Sequence, residues 1–417
     1  MFDIQKEIDL CAANGGGKVI IPAGIYRSGT VFLRSNVILH LSEGAVICGS
    51  EVLSDYPAAQ DKFCDGAAQE RGRALIFGES IENAAIEGYG VVSGSGEAFS
   101  KDHPDFHRRP MLLRFVNCQN IRLEGINLRD SAAWTCHFRG CRMVKIDHLD
   151  IYSHANCNND GIDVDSCSDV EISSCQIDSG DDAVCLKSTL ESPCENIRIH
   201  DCQLRSEAAT FKIGTETYGD IRHVVFKNNT ILDGEMGAIK IFSTDGANIS
   251  DIEISDIEII SATNPLFIRL GERGSVYGEY PAKKSGSIQR IKIDGLRGKI
   301  RHHAVPIRAL HLPKSGIPVF SHNCLGVMGL PGNPVKDITI RNIDLTLPGG
   351  SENPGWDEIP ERADGYPEIG YYGILPAWGI YMQHVENADF AGCAINLAVP
   401  DVRREFVLED VQEINGI

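Results

Sequence analysis

A chain of 417 residues with a formal net charge of −19 repels nucleic acid and anionic membrane surfaces, so neither is expected as a partner. No apolar run approaches the roughly 20 residues that a membrane-spanning helix needs. Glycine is frequent, at 42 residues, and short β-branched runs recur throughout, which points to an all-β chain rich in turns.

The opening, Met1-Phe2-Asp3-Ile4-Gln5-Lys6-Glu7, lacks a basic and apolar leader. A cytoplasmic protein, or the trimmed form of an exported one, is therefore expected. Ile4, Ile8 and Cys11 share one helical face, so a short amphipathic helix is predicted, closed by Gly15-Gly16-Gly17. Val19-Ile20-Ile21 and Val37-Ile38-Leu39-His40-Leu41 read as strands. Residues 1–18 then form a cap over the open end of whatever the strands build.

Those strands repeat. The pattern is apolar, any, apolar, two of any, apolar, any, apolar. It runs from Ile121-x-Leu123 and Ile126-x-Leu128 through starts at Val144, Val170, Ile197, Val224 and Ile252, with looser copies at Ala84, Ile291 and Ile338. Alternation puts the apolar side chains on one face, and the break of two marks a turn. Position −1 of the repeat holds Asn83, Asn120, Asp169, Asn196, Asp251 and Asp337, residue types that tolerate left-handed backbone. Position −3 holds Cys118, Cys141, Cys167 and Cys194 in successive copies, so these thiols are expected to stack in an internal ladder. No Cys-x-x-Cys pair is present, and no metal site is expected. A period of this size with three short strands per turn predicts a single-stranded right-handed parallel β-helix. A length of this order ordinarily suggests two or three domains, but a repeat chain escapes that rule, and residues 1–417 are expected to form one domain.

Three carboxylates interrupt the repeat: Asp160 in Asn158-Asn159-Asp160-Gly161, and Asp181 and Asp182 in Ser179-Gly180-Asp181-Asp182. An isolated Asp-Asp is ordinarily a solvated turn. Here each acid lies within three residues of a new apolar run, one in the coil begun at Val144 and two in the coil begun at Val170. Close carboxylates repel, so one of them holds its proton to higher pH. A protonated acid beside an ionised one is the requirement of glycoside hydrolysis. Coils stack at about 4.8 Å, and laterally offset acids are expected farther apart than that. Such a gap fits the roughly 6.5–9.5 Å that an inverting glycosidase keeps open for water.

The two acidic motifs resemble those of the polygalacturonases and rhamnogalacturonases of glycoside hydrolase family 28. Gly15-Gly16-Gly17-Lys18-Val19-Ile20-Ile21-Pro22, Ser28-Gly29-Thr30-Val31 and Gly329-Leu330-Pro331-Gly332-Asn333-Pro334 are also similar to that family. The resemblance implies that Asp182 protonates the leaving oxygen while Asp160 and Asp181 hold and deprotonate the attacking water. It places Asn158 and Lys240 at the substrate, implies an oligosaccharide partner, and calls for no cofactor. Two positions depart from the pattern. The family's Gly-His-Gly falls on Ala208-Ala209-Thr210, and its Arg-Ile-Lys on Ala238-Ile239-Lys240. Lys212, one coil before Lys240, is read as a replacement charge on the same face.

Arg269, Arg273, Arg301, His302, His303 and Arg308 are weaker candidates, read as structural before catalytic. The stretch 347–378 carries Trp356, Tyr366, Tyr371, Tyr372 and Trp378, and aromatic faces commonly line sugar sites. A loop of this length closing one end of a groove favours release of terminal residues from short pectin-derived oligosaccharides. Two alternatives stay open: a β-helical lyase or epimerase, and a glycan-binding β-helix that has lost its chemistry.

Overall fold

The computed structural model describes residues 2–302 and 324–416; His303 and Arg308 lie outside the described residues. The chain divides into two compact units, Met1–Gln203 and Leu204–Ile417. Both are built from short parallel strands that wind as right-handed coils, the hand that parallel crossovers take. The fold is a parallel β-helix.

In the first unit the helix Ile4–Ala13 comes first, capped by Asp3, whose carboxylate accepts from the Lys6 amide at 3.1 Å. Ile4 and Ile8 are buried and Cys11 is half-buried. The strand registers then align the apolar positions of successive coils. Val19 pairs with Leu39, and the column continues through Ile86, Leu123, Ile146, Ile172 and Ile199. Each buried aliphatic side chain in such a column contributes about 1.5–3 kcal/mol. The second unit repeats the device: Val224, Ile252, Ile291, Ile338, Ala388 and Ile414 stand in register. The copies at Ala388 and Ile414 extend the series beyond Ile338; the former keeps the pattern with Phe390, Cys393 and Ile395, and the latter only its first apolar position.

The turn at position −1 is left-handed in the nine copies that start between Ala84 and Ile338, with φ between 54° and 59°. Six carry the expected Asn or Asp. Met143, His223 and Arg290 adopt the same conformation at a cost, because the stacked neighbours dictate the turn. Side-chain amides run along this corner: Asn120 donates to Asn83 at 2.8 Å, and Asn83 donates to Asn36 at 3.1 Å. The thiols of Cys118, Cys141, Cys167 and Cys194 are buried, and the Cys141 amide donates to Cys167 Sγ at 3.2 Å, as a ladder requires.

Candidate active site

Asp160 ends the turn before strand Ile162–Asp165, and Asp182 lies in the turn before strand Val184–Ser188. The two strands pair in register, Ile162 with Val184, and the two turns are stitched by the Gly161 amide donating to the Asp182 carbonyl at 2.9 Å. Gly161 is required there by packing: a Cβ would meet the Ala183 carbonyl oxygen at 2.4 Å. Gly180 is freer, its nearest neighbour being Ser153 O at 3.3 Å.

The stitching brings oxygens of Asp160 and Asp182 within 4.8 Å of one another. This is closer than the spacing expected from lateral offset, because both acids stand at the same point of consecutive turns and the offset is small. A water with hydrogen bonds of about 2.8 Å to each oxygen still spans such a gap at a near-tetrahedral angle. Cys185 Sγ completes a group of three donors within the same distance. Two carboxylates and a thiol do not match the all-oxygen set that calcium takes.

Asp160 is 3% exposed, and its Oδ1 has no hydrogen-bond partner among the described residues. Burial pushes its carboxyl well above the ordinary range, and the neighbouring charges of Asp163 and Asp181 add to the rise. Lys187 opposes it, with Nζ 3.6 Å from Asp160 Oδ2 and 3.4 Å from Asp163 Oδ1, but does not reverse it. Asp181 is oriented from two sides. Its Oδ1 accepts from the Asp182 amide at 3.0 Å, and its Oδ2 accepts from Asn158 Nδ2 at 3.1 Å. Asn158 itself is held in left-handed backbone, φ 54°, with Oδ1 accepting from Gln69 Nε2 at 2.8 Å and from Arg109 at 3.3 Å. Asn159 is buried and faces inward; its amide donates to the carbonyls of Ser131 and Ala133, which fixes the turn.

A floor of buried polar side chains underlies these acids. Arg114, His137 and Asp163 stand in register on three consecutive strands, and Arg139, Asp165 and Lys187 form the next column. Burial pushes the His137 imidazole down to about 4, so it is neutral at pH 7. Burial disfavours the Asp165 carboxylate, but His137, Arg139 and Thr189 outweigh it and hold the group below its usual range. The ring of Trp134 carries both Arg71 and Lys187, each 4.7 Å from a ring centroid. Over this floor lies a small antiparallel hairpin, Phe63–Cys64 with Glu70–Arg71, tied by the Arg71–Asp65 ion pair at 2.6 Å.

Asp160, Asp181, Asp182 and Asn158 are thus brought together within the first unit. Lys187, Asp163, Gln69 and Arg109 were missed as site residues. Lys187 had a signal, a lysine amid apolar strand residues, the same one that singled out Lys240. Gln69 and Arg109 lie outside the periodic segments and had none.

In the second unit, Lys212 and Lys240 stand directly in register on strands Ala209–Thr217 and Gly237–Ser243. Both are buried and face Glu368: Lys240 Nζ pairs with Oε2, and Lys212 Nζ lies 3.9 Å from Oε1. Glu368 belongs to the aromatic loop. That loop is anchored, since Ile359, Ile369, Tyr372 and Leu375 pack against Phe242, Phe267, Met328 and Tyr381. Tyr372 therefore belongs to the core, while Trp356, Tyr366, Tyr371 and Trp378 keep exposed surface. Arg269 is structural, donating to the carbonyls of Gly329 and Glu361 under the ring of Tyr372. Arg273 is bound by Asp245 and Tyr277, and Arg301 by Asp233 and Glu235. His302 is exposed.

The family model described as glycosyl hydrolases family 28 matches residues 49–309. A probable polygalacturonase of Vitis vinifera is 28% identical over 376 residues, 85% of this chain and 72% of that protein. Two further curated relatives are spanned over 60% and 48% of their length. Among solved structures, the exopolygalacturonase of Thermotoga maritima matches with a TM-score of 0.67 at 22% identity, over 94% of this chain and 87% of that one. The family 28 exopolygalacturonase of Yersinia enterocolitica matches with 0.72 at 17%, over 99% and 74%. These structural likenesses agree with the coiled fold. With the family model covering more than half of the sequence, the chain belongs to glycosyl hydrolases family 28 and is a glycoside hydrolase.

Proposed function

We propose that this protein is an inverting, exo-acting hydrolase of pectin-derived oligosaccharides, of the galacturonide or rhamnogalacturonan type. The observation that carries the hydrolytic reading is the gathering of three carboxylates, Asp160 and Asp182 within 4.8 Å of one another and Asp181 oriented beside them by Asn158. Inversion is taken from the family resemblance, since the Asp160–Asp182 gap is tighter than the roughly 6.5–9.5 Å window. Asp182 gives its proton to the glycosidic oxygen as the bond from that oxygen to the anomeric carbon breaks. A water held by Asp160 and Asp181 loses a proton to one of them, and its oxygen bonds to the same carbon from the face opposite Asp182. Asn158 acts by positioning Asp181. Lys240 is assigned to the substrate by motif position, and Lys212 as a replacement charge one coil earlier. Exo action draws on the anchored loop 347–378 and on the exopolygalacturonases among the similar structures.

One observation favours an exchange of roles. The proton of Asp160 is held to high pH by burial, which suits a proton donor. Both versions remain hydrolytic, and they part on leaving-group dependence.

The test is incubation with a panel of pectic oligosaccharides, with and without chelator. Reducing sugar without an ultraviolet-absorbing product supports hydrolysis. Unsaturated product lost on chelation supports a lyase, and no product supports a binding protein. Chromatography over time should show one small product from the first minutes, and a ladder of mixed oligomers would overturn exo action. NMR of the first-formed product should show the inverted anomer.

A further inference from the structure

Arg109 is 1% exposed, and each of its N–H groups meets an oxygen. Nε donates to the Ala132 carbonyl at 2.5 Å, and Nη1 donates to the Phe106 carbonyl at 2.7 Å and to Gln69 Oε1. Nη2 donates to the Cys157 carbonyl at 2.8 Å and to Asn158 Oδ1 at 3.3 Å. We propose that Arg109, together with Gln69, is a positioning residue for hydrolysis: the pair locks Asn158 in the left-handed turn from which it holds Asp181. The proposal rests on the reading of Asp181 as a carboxylate that holds the attacking water.

Three observations support it. The first is what Arg109 grips. Cys157 O and Asn158 Oδ1 lie on either side of the N–Cα bond of Asn158, so one nitrogen bound to both opposes rotation about that bond. The φ of 54° held in this way is one that an L-residue adopts at some cost, and from it Asn158 Nδ2 reaches Asp181 Oδ2 at 3.1 Å. The second is convergence. Gln69 Nε2 donates to the same Asn158 oxygen at 2.8 Å while Gln69 Oε1 accepts from Arg109, so the three side chains close a ring of hydrogen bonds. The third is the cost. The acceptors of Arg109 are all neutral oxygens, and burial, followed by the like charge of Arg71, pushes its pKa down. A buried cation held in this way is a poor stabiliser. An apolar side chain against Phe106, whose ring centroid lies 3.9 Å from the guanidinium carbon, would serve packing as well. A rigid fork that joins Gln69, Phe106 and Ala132 to the Cys157-Asn158 turn is suited to positioning, and a lysine, with one nitrogen, cannot replace it.

The experiment is a double-mutant cycle. Initial rates on the most active pectic oligosaccharide are measured for Arg109→Lys, Asn158→Ala and the double variant, with circular dichroism as the check on folding. Arg109→Lys should lower kcat about tenfold, the scale of one hydrogen bond to a charged group, and leave KM within about twofold. In the Asn158→Ala background the same substitution should change kcat by less than about twofold, because the residue through which it acts is gone. An unchanged kcat, a loss carried by KM, or losses that multiply in the double variant overturn the proposal. Should Arg109→Lys fail to fold, Gln69→Leu takes its place in the cycle with the same outcomes. Asp181→Asn separates the underlying reading. If it keeps kcat within about twofold, Asp181 does not hold the water, and the proposal falls with that reading. If it is inactive and the cycle is additive, the proposal alone falls.

Discussion

Asn158 donates its side-chain amide to Asp181 Oδ2 at 3.1 Å, and its own carbonyl oxygen is held by Gln69 at 2.8 Å. The chain from Gln69 through Asn158 to Asp181 links a non-repeating insert to the acids. Arg109 reinforces it, donating to Asn158 Oδ1, to the Cys157 carbonyl and to the Ala132 carbonyl from a fully buried position. An acid so held has one rotamer in which to meet a water.

Asn158→Ala should therefore lower kcat by about 10²-fold, the scale of misplacing a reacting group by 1 Å. KM should change little, and circular dichroism should be unchanged, because the coil is fixed by Asn159 and not by Asn158. Initial rates on the most active oligosaccharide check this. A loss confined to KM would make Asn158 a substrate ligand and not a positioning residue.

The acid and base roles separate on leaving group. With a natural sugar as leaving group, Asp182→Asn and Asp160→Asn should each lower kcat by at least about 10²-fold. With a nitrophenyl glycoside the leaving oxygen needs no proton. The variant lacking the acid should then recover most of its rate, and the variant lacking the base should not. Recovery in Asp160→Asn would assign the proton to Asp160.

Much of this was legible from residues because the coil stacks identical side chains. A single alternation, repeated from Ile121 to Ile252, predicts the registers later seen between Ile121, Val144, Val170 and Ile197. The acids were legible for the complementary reason: Asp160 and Asp182 occupy turns where the repeat has no use for charge. Their 4.8 Å approach was not, since the lateral offset of two turns is set by backbone and not by spacing. Glu368 was hidden for a third reason. It reaches Lys240 across 128 residues of chain, from a loop without periodicity, and no local pattern encodes such a contact.

Lys187 is the cation that keeps the Asp160 carboxyl from rising further, at 3.6 Å and over the ring of Trp134. Lys187→Met preserves the stem and its contact with the ring while removing the charge. With Asp160 ionised in the active form, the acidic limb of the kcat–pH profile should move up by about 1 pH unit. The profile is read on protein checked for folding at each pH. A limb that stays in place means that the rate follows another group.

Asp160 also sets activity against stability. Its folded-state pKa is raised, chiefly by burial and then by Asp163 and Asp181, so the folded protein binds this proton more tightly than the unfolded chain does. The linkage then runs opposite to that of a salt-bridged aspartate. The group costs nothing below its unfolded value of about 4, and its cost grows as pH rises toward the folded value. Asp160→Asn removes the titration while keeping the shape, and Lys187 retains Asp163 at 3.4 Å. At pH 7 the variant should be more stable than the parent by about 1–3 kcal/mol, the cost of an uncompensated buried polar group. Near pH 4 the difference should shrink toward zero. Denaturant unfolding at the two pH values measures it. A variant less stable at pH 7 would mean that Lys187 and the surrounding dipoles overcompensate the burial of Asp160, and that its carboxylate is ionised in the resting enzyme.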